Sequence, residues 1–118
     1  MTLELESESK LLRVFIGEAD RHGQHLLYEA LVKAAKQAGV AGATVQRGIL
    51  SYGASSSIHT AKLLDLSFDL PIVVEIVDRK EKIEEFLSTV NQMIEEAECG
   101  ALITLENVEV IHYKPKKH

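Results

Sequence analysis

The chain has 118 residues, enough for one domain with a hydrophobic core and too few for two. Hydrophobic residues make up 46% and charged residues 26%, a globular balance, and no apolar run approaches the roughly 18–20 residues that span a bilayer. The formal net charge of −5 argues against a duplex-binding module, whose affinity comes from clustered Lys and Arg.

Taken in chain order, residues 1–9 carry no core pattern and read as a disordered extension. The opening MTLELESESK is acidic rather than signal-like, so a cytoplasmic protein is expected. KLLRVFIG predicts a strand with Leu12, Val14 and Ile16 on one face and Leu11 and Phe15, around Arg13, on the other. GEADRHGQH is a polar link. From Gln24 to Ala38 the period becomes helical, through Leu27, Ala30, Leu31, Ala34 and Ala38, and Gly39 is placed to cap the end. Ala43–Tyr52 (ATVQRGILSY) predicts a second strand, with Gly48 as a bulge or a point of close backbone approach.

An excursion follows. GASSSIHT is a polar tip, and in AKLLDLSFDL the residues Leu63, Leu64, Leu66 and Phe68 form an apolar cluster that should anchor the returning stem. The mobile part is thereby narrowed to 52–60, the pattern of a binding loop on anchored stems. LPIVVEIVD predicts a third strand, with Ile72, Val74 and Ile76 opposite Val73, Glu75 and Val77. Asp78, with Glu81 three residues on, reads as a capping box for a second helix. Its stripe is Ile83, Phe86, Leu87, Val90, Met93/Ile94 and Ala97, and Gly100 should end it. ALITL, a turn at Glu106–Asn107 and a terminal strand complete residues 10–114. The basic run in KPKKH, with 115–118 as a tail, reads as solvated.

The order is strand–helix–strand twice, with the excursion between the halves. This predicts an α+β fold: a ferredoxin-like split βαβ sandwich, βαββαβ, with both helices on one face of an antiparallel sheet. Strands one and three are apolar on both faces, so Leu11, Phe15, Val73 and Val77, or the opposite set, would face water in a monomer. A homo-oligomer with sheets packed together is expected.

Four kinds of chemistry have candidate residues. Asp20, His22, His25 and His59 could hold a metal ion, although DxHxxH without cysteine is a weak signature and a solvated loop collects such residues too. Ser55, Ser56 and Ser57 precede His59, but no GxSxG elbow or oxyanion device accompanies them. Arg47 followed by SYGASSS can present charge, backbone N–H groups and hydroxyls to an anion, or can be a plain loop. Tyr52 can stack on a base or pack on the loop's own leucines. Cys99 is the single cysteine and reads as a small buried filler.

KLLRVFIGEADRHG, LYEALV and GVAGATVQRGILSYGASSSIHTAKLLDLSFDLPIVVEIVD together resemble the bacterial and archaeal domain-of-unknown-function family 190, a PII-like family, over Leu11 to Tyr113. The resemblance implies a homotrimer with a ligand cleft between subunits. In PII proteins that cleft takes an adenine nucleotide, and a T-loop after strand two engages a partner such as a membrane transporter or channel. Gly42–Val45 is similar to the PII segment that opens strand two, which puts Thr44 at the adenine. Tyr52 and Gly53 resemble the base of the T-loop, with Arg47 and Ser55 on either side. Glu75 and Val77 fall on the strand that lines the nucleotide site, and Gly100 near the turn that approaches the phosphates.

The chain also departs from PII. Ala101 and Leu102 follow Gly100 where PII has a lysine, and the terminal strand offers only His112 and Lys114 in place of arginines. Charge-assisted contacts are the strong ones, so a nucleotide with fewer phosphates, a modified one, or another small anion fits better than ATP. The expected function is therefore a non-enzymatic signalling regulator that binds a small ligand near Thr44, Arg47, Gly53 and Glu75 and switches the 52–60 loop. The alternatives are a metal-binding trimer, similar to the divalent-cation tolerance protein and using His22, His25 or His59, and an enzyme on a small phosphorylated substrate.

Overall fold

Two nine-residue strands with apolar residues at alternate positions set the frame, because alternation sends one set of side chains to each face of a sheet. A computed structural model describes residues 8–48, 50–52, 58–60 and 70–116, with the backbone alone for 50–52 and 58–60. The elements are β1 (Ser9–Gly17), β2 (Arg21–His22), β3 (His25–Leu26), α1 (Leu27–Ala38), β4 (Thr44–Arg47), β5 (Leu50–Tyr52), β6 (Ile58–Thr60), β7 (Pro71–Arg79), α2 (Lys80–Ala97) and β8 (Leu102–Val108). The main sheet has the antiparallel order β4-β7-β1-β8, and β2-β3 and β5-β6 form two small ladders. This is the expected α+β, ferredoxin-like architecture.

Leu12, Val14 and Ile16 of β1 and Ile72, Val74 and Ile76 of β7 are buried beneath Leu27, Leu31 and Ala35 of α1 and Ile83, Phe86, Val90 and Met93 of α2. The apolar stripes expected for both helices therefore face the core. The opposite face carries Leu11, Arg13 and Phe15 of β1, which pair with Val77, Glu75 and Val73 of β7 and with Glu106, Thr104 and Leu102 of β8. Leu11, Phe15, Val73 and Val77 are only half-buried, and Leu102 is 54% exposed. No described element covers this face.

Several local expectations change. α1 begins at Leu27 rather than Gln24, because His22 and His25 pair across a two-residue turn. Gly23 adopts φ 65° there, and a glycine with positive φ at the first central position suits a tight hairpin. The helix start is served by the Asp20 carbonyl, which accepts the Leu27 N–H at 2.8 Å. Gly39 does cap α1, in the left-handed conformation at φ 79°. The second strand breaks into β4 and β5 at Gly48. A Cβ on Gly48 would lie 2.8 Å from the Pro71 ring, and its N–H donates to the Pro71 carbonyl at 2.8 Å, so the close-approach reading holds. Ile58–Thr60, expected within the mobile tip, pairs antiparallel with Leu50–Tyr52. Residues 1–7, the tip at 53–57 and the stem at 61–69 lie outside the described residues, while β1 already begins at Ser9.

The expected capping box is absent. Asp78 lies inside β7, Arg79 is the residue before α2, and no side chain caps that helix. Alternation turns Asp78 toward the helix side, where it is buried and accepts the Ala41 N–H at 2.8 Å and the Arg79 N–H at 2.6 Å. α2 ends before Gly100: Glu98 takes the left-handed conformation, φ 54°. β8 runs unbroken through Glu106 and Asn107, and the residues after Val108 form no described strand. Replacing Asp78 by Ala removes the acceptor of two partly buried backbone donors, which should cost about 1–3 kcal/mol. Urea unfolding is expected to show that loss for Asp78→Ala and a smaller one for Asp78→Asn, which keeps one acceptor.

Candidate functional site

Thr44 and Glu75 are cross-strand partners of β4 and β7, on the open face of the sheet. Val77 lies one pleat further along β7 on the same face, paired with Leu11. Three of the residues assigned to a ligand by resemblance are thus neighbours. Glu75 is not free, however. Arg13 Nε donates to Glu75 Oε2 at 2.8 Å, and Arg13 Nη1 also contacts Glu106 Oε1. Hydrogen bonding to Glu75 is the main reason the Arg13 guanidinium is raised above its ordinary value. The sequence holds a signal for this pair: each of two apolar strands carries one mid-strand charge, of opposite sign.

Arg47 leaves β4 on the other face. Its register partner is Ile72, on the helix side, and its guanidinium contacts Glu18 just beyond β1. The Glu18 N–H in turn donates to the Leu70 carbonyl at 2.7 Å. Arg47 and Thr44 therefore belong to one edge strand but to opposite faces. Gly100 is exposed and precedes β8, the opposite edge of the sheet. Three strand spacings separate β4 from β8, roughly 14 Å, so one chain does not bring Thr44 and Gly100 together. Tyr113 contacts the Ala41 carbonyl at 3.5 Å, which carries the exposed His112 and Lys114 toward the start of β4. Gly53, Ser55 and the side chain of Tyr52 lie outside the described residues.

The histidine cluster is taken up by other contacts. His22 Nε2 is 2.6 Å from Glu96 Oε1 in the last turns of α2, and this bond is the largest cause of the lowered Glu96 pKa. Asp20 Oδ2 accepts the Gly17 N–H at 2.7 Å. His25 is exposed and lines, with His22, Glu29, Lys33 and Met93, an open groove of about 370 Å³. Among the described residues no three His, Cys, Asp or Glu side chains are arranged to hold a metal ion. The His59 backbone pairs with Ser51, and its side chain lies outside the described residues.

A family model described as DUF190, Uncharacterized ACR, matches residues 9–110. The chain belongs to this family. A UPF0166 protein of Aquifex aeolicus is 42% identical over 105 residues, covering 89% of this chain and 95% of that one. Another, from Methanocaldococcus jannaschii, is 32% identical over 87 residues, covering 74% and 80%. Among solved structures, this DUF190 chain is similar to CPII, a nitrogen regulatory PII-like protein from Thiomonas intermedia K12 bound to ADP, AMP and bicarbonate. The TM-score is 0.67 at 17% identity, covering 87% and 88% of the two chains. Arabidopsis thaliana PII bound to citrate aligns with a TM-score of 0.53 at 19% identity, covering 86% and 78%. At these identities the likeness establishes the PII-like fold.

Cys99 of this DUF190 chain is half-buried against the core, close to Asp20. Burial first, then the Asp20 charge, pushes its thiol up to about 11. Below that pH it stays protonated, and only the thiolate is strongly nucleophilic. Iodoacetamide at pH 8 is expected to label folded protein at least about tenfold more slowly than the urea-unfolded chain, whose thiol titrates near its ordinary value of about 8.5. Equal rates would show that the thiol is neither desolvated nor beside Asp20.

Proposed function

We propose that this protein is a non-enzymatic, PII-like regulator, a homotrimer that binds a small anionic ligand between subunits and signals through residues 52–60. The carrying observation is the layout of the sheet. Thr44 and Glu75 lie toward one edge and Gly100 beyond the other, with an open apolar face between. Packing copies through Leu11, Phe15, Val73 and Val77 removes that face from water, at about 25 cal/mol per Å² of apolar area. It also lets the β4 edge of one copy approach the β8 edge of the next, which is how residues about 14 Å apart within a chain would line one cleft.

The ligand proposed is an adenine nucleotide with few phosphates, ADP or AMP ahead of ATP. CPII is a fold neighbour bound to ADP and AMP, and this chain has few cations for a triphosphate. In this reading Thr44 contacts the base, Glu75 and Val77 line the cleft and Arg47 meets the anion. Tyr52, Gly53 and Ser55 carry the signal into the loop, and Gly100 of the neighbouring copy closes the phosphate side. Ligand contacts at the loop base would offset the entropy of ordering its tip, which exposes or hides the surface read by a protein partner, a membrane transporter or channel being the family-type choice.

ADP or AMP at millimolar concentration is expected to raise the melting temperature by several degrees, since ligand at 100 times Kd adds about 2.7 kcal/mol to stability. The nucleotide assignment is refuted if ATP, ADP, AMP and cyclic dinucleotides all leave it unchanged. Assembly has a separate test. Native mass spectrometry of the wild type should give three chains, and Phe15→Glu, which puts a charge on the open face, should shift the protein to monomer in sedimentation velocity. A wild type that is monomeric at micromolar concentration would end the trimer proposal.

A further inference from the structure

Arg47 ends β4, Glu18 lies in the turn after β1, and the two side chains meet. Glu18 directly follows β1, and its N–H is fixed to the Leu70 carbonyl at 2.7 Å. Arg47 ends β4, and the next residue, Gly48, donates to the Pro71 carbonyl at 2.8 Å. Glu18 by its own N–H and Arg47 by that of the next residue are thus anchored at the Leu70–Pro71 step. Their side chains form an ion pair. The Glu18 side chain is 25% exposed and that of Arg47 is 57% exposed, so solvent reaches the guanidinium while the carboxylate is the more enclosed partner. Asp20, the nearest acid in sequence, is turned away to the Gly17 N–H.

We infer that Glu18 is an internal competitor: a tethered carboxylate that occupies Arg47 and sets the affinity an anion needs to take it, a threshold that phosphoryl groups, with more charge than a carboxylate, pass more readily than simple carboxylates. The inference rests on the reading that Arg47 meets the ligand. Its physical basis is competition. Glu18 is tethered, so it reaches Arg47 without the loss of translational freedom that a free anion suffers. A free monoanionic carboxylate offers the guanidinium nothing that Glu18 does not already supply. A phosphoryl group brings a charge near −2 and three strong acceptor oxygens, and guanidinium geometry favours it. Because the pair is partly exposed, displacing Glu18 is cheap enough for such a ligand to manage.

The test is an NMR titration of the full chain with inorganic phosphate and, separately, acetate at pH 8. The Gly48 N–H signal is followed in the wild type, Glu18→Gln, Arg47→Gln and the double variant, and the Arg47 Nε–H signal in the two proteins that keep Arg47. The glutamine at position 18 keeps size and hydrogen-bonding capacity while removing the charge. Phosphate should bind the wild type more tightly than acetate does. Glu18→Gln should bind both phosphate and acetate about two- to fivefold more tightly, the range an exposed ion pair commands. Arg47→Gln should lose the phosphate response at Gly48, and adding Glu18→Gln to it should restore nothing. The inference is overturned if Glu18→Gln leaves phosphate affinity unchanged or weaker, or tightens one of the two anions and not the other. It is equally overturned if Arg47→Gln binds phosphate like the wild type, or if phosphate perturbs none of the four proteins. A failed nucleotide screen would remove the proposed ligand and leave this titration fully readable.

Discussion

The antiparallel pairing of β1 with β7 is the constraint on which the rest depends. Nine residues of each strand run in register from Ser9 opposite Arg79 to Gly17 opposite Pro71. Because side chains alternate, this register decides at once which apolar set meets the helices and which stays open. Both crossovers, β1-α1-β4 and β7-α2-β8, join parallel strands of the sheet, and such crossovers are right-handed in nearly all proteins, which returns each helix to the same side. The helices therefore crowd one face. The mid-strand charges mark the register: Arg13 lies opposite Glu75, and a one-residue slip would set Arg13 against Val74 or Ile76 on the wrong face. As a partly exposed ion pair it adds little to stability, so its value lies in alignment more than in strength.

The same economy of charge runs through the candidate site. Glu75 is held by Arg13, Arg47 by Glu18 and His22 by Glu96, while Asp20 is held by a backbone N–H. Each polar group singled out from the sequence for ligand or metal chemistry, where its side chain is described, has a partner within the chain or lies in solvent. A ligand at such a site works by exchange, and its net affinity is the difference between the new contact and the old one. Exchange favours ligands with concentrated charge. It also ties binding to neighbouring segments, because each displaced side chain belongs to another part of the chain: Arg13 to β1, Glu18 to the turn after it and Glu96 to α2.

Periodicity made the interior of each element legible, and its ends were much less so. The stripe of α2 from Ile83 to Ala97 and the alternation of Leu12, Val14 and Ile16 follow directly from spacing. Gly39 was legible because a left-handed residue is needed there and glycine takes that conformation freely. Asp78 was misleading because a capping signal is purely local. In the fold, the partly buried Ala41 N–H, 37 residues away, claims its carboxylate. Gly100 misled in the same way, since Glu98 accepts the left-handed turn two residues earlier despite its Cβ. The Thr44–Glu75 neighbourhood followed from family resemblance, whereas the partners Arg13 and Glu18 sit 62 and 29 residues from the groups they hold. Contacts that distant come from register, and register appears only once the sheet is assembled.

On the function proposed, β4 is both a ligand wall and the root of the excursion, and Gly48 joins the two roles. β4 is four residues long, about 13 Å from Thr44 through Arg47, and Gly48 follows it without a break. There the backbone is pressed against the Pro71 ring with no room for a side chain, and its N–H is bonded to the Pro71 carbonyl. A segment so short and so tightly seated moves as one piece or hardly at all. Displacement at the Thr44 end would reach Gly48 through the strand itself, and reach Leu70 through Arg47 and Glu18. Both routes end where the excursion leaves the sheet and where it returns. A longer or more loosely packed β4 would absorb the same displacement in its own hydrogen bonds, so the close approach at Gly48 is what makes the connection mechanical.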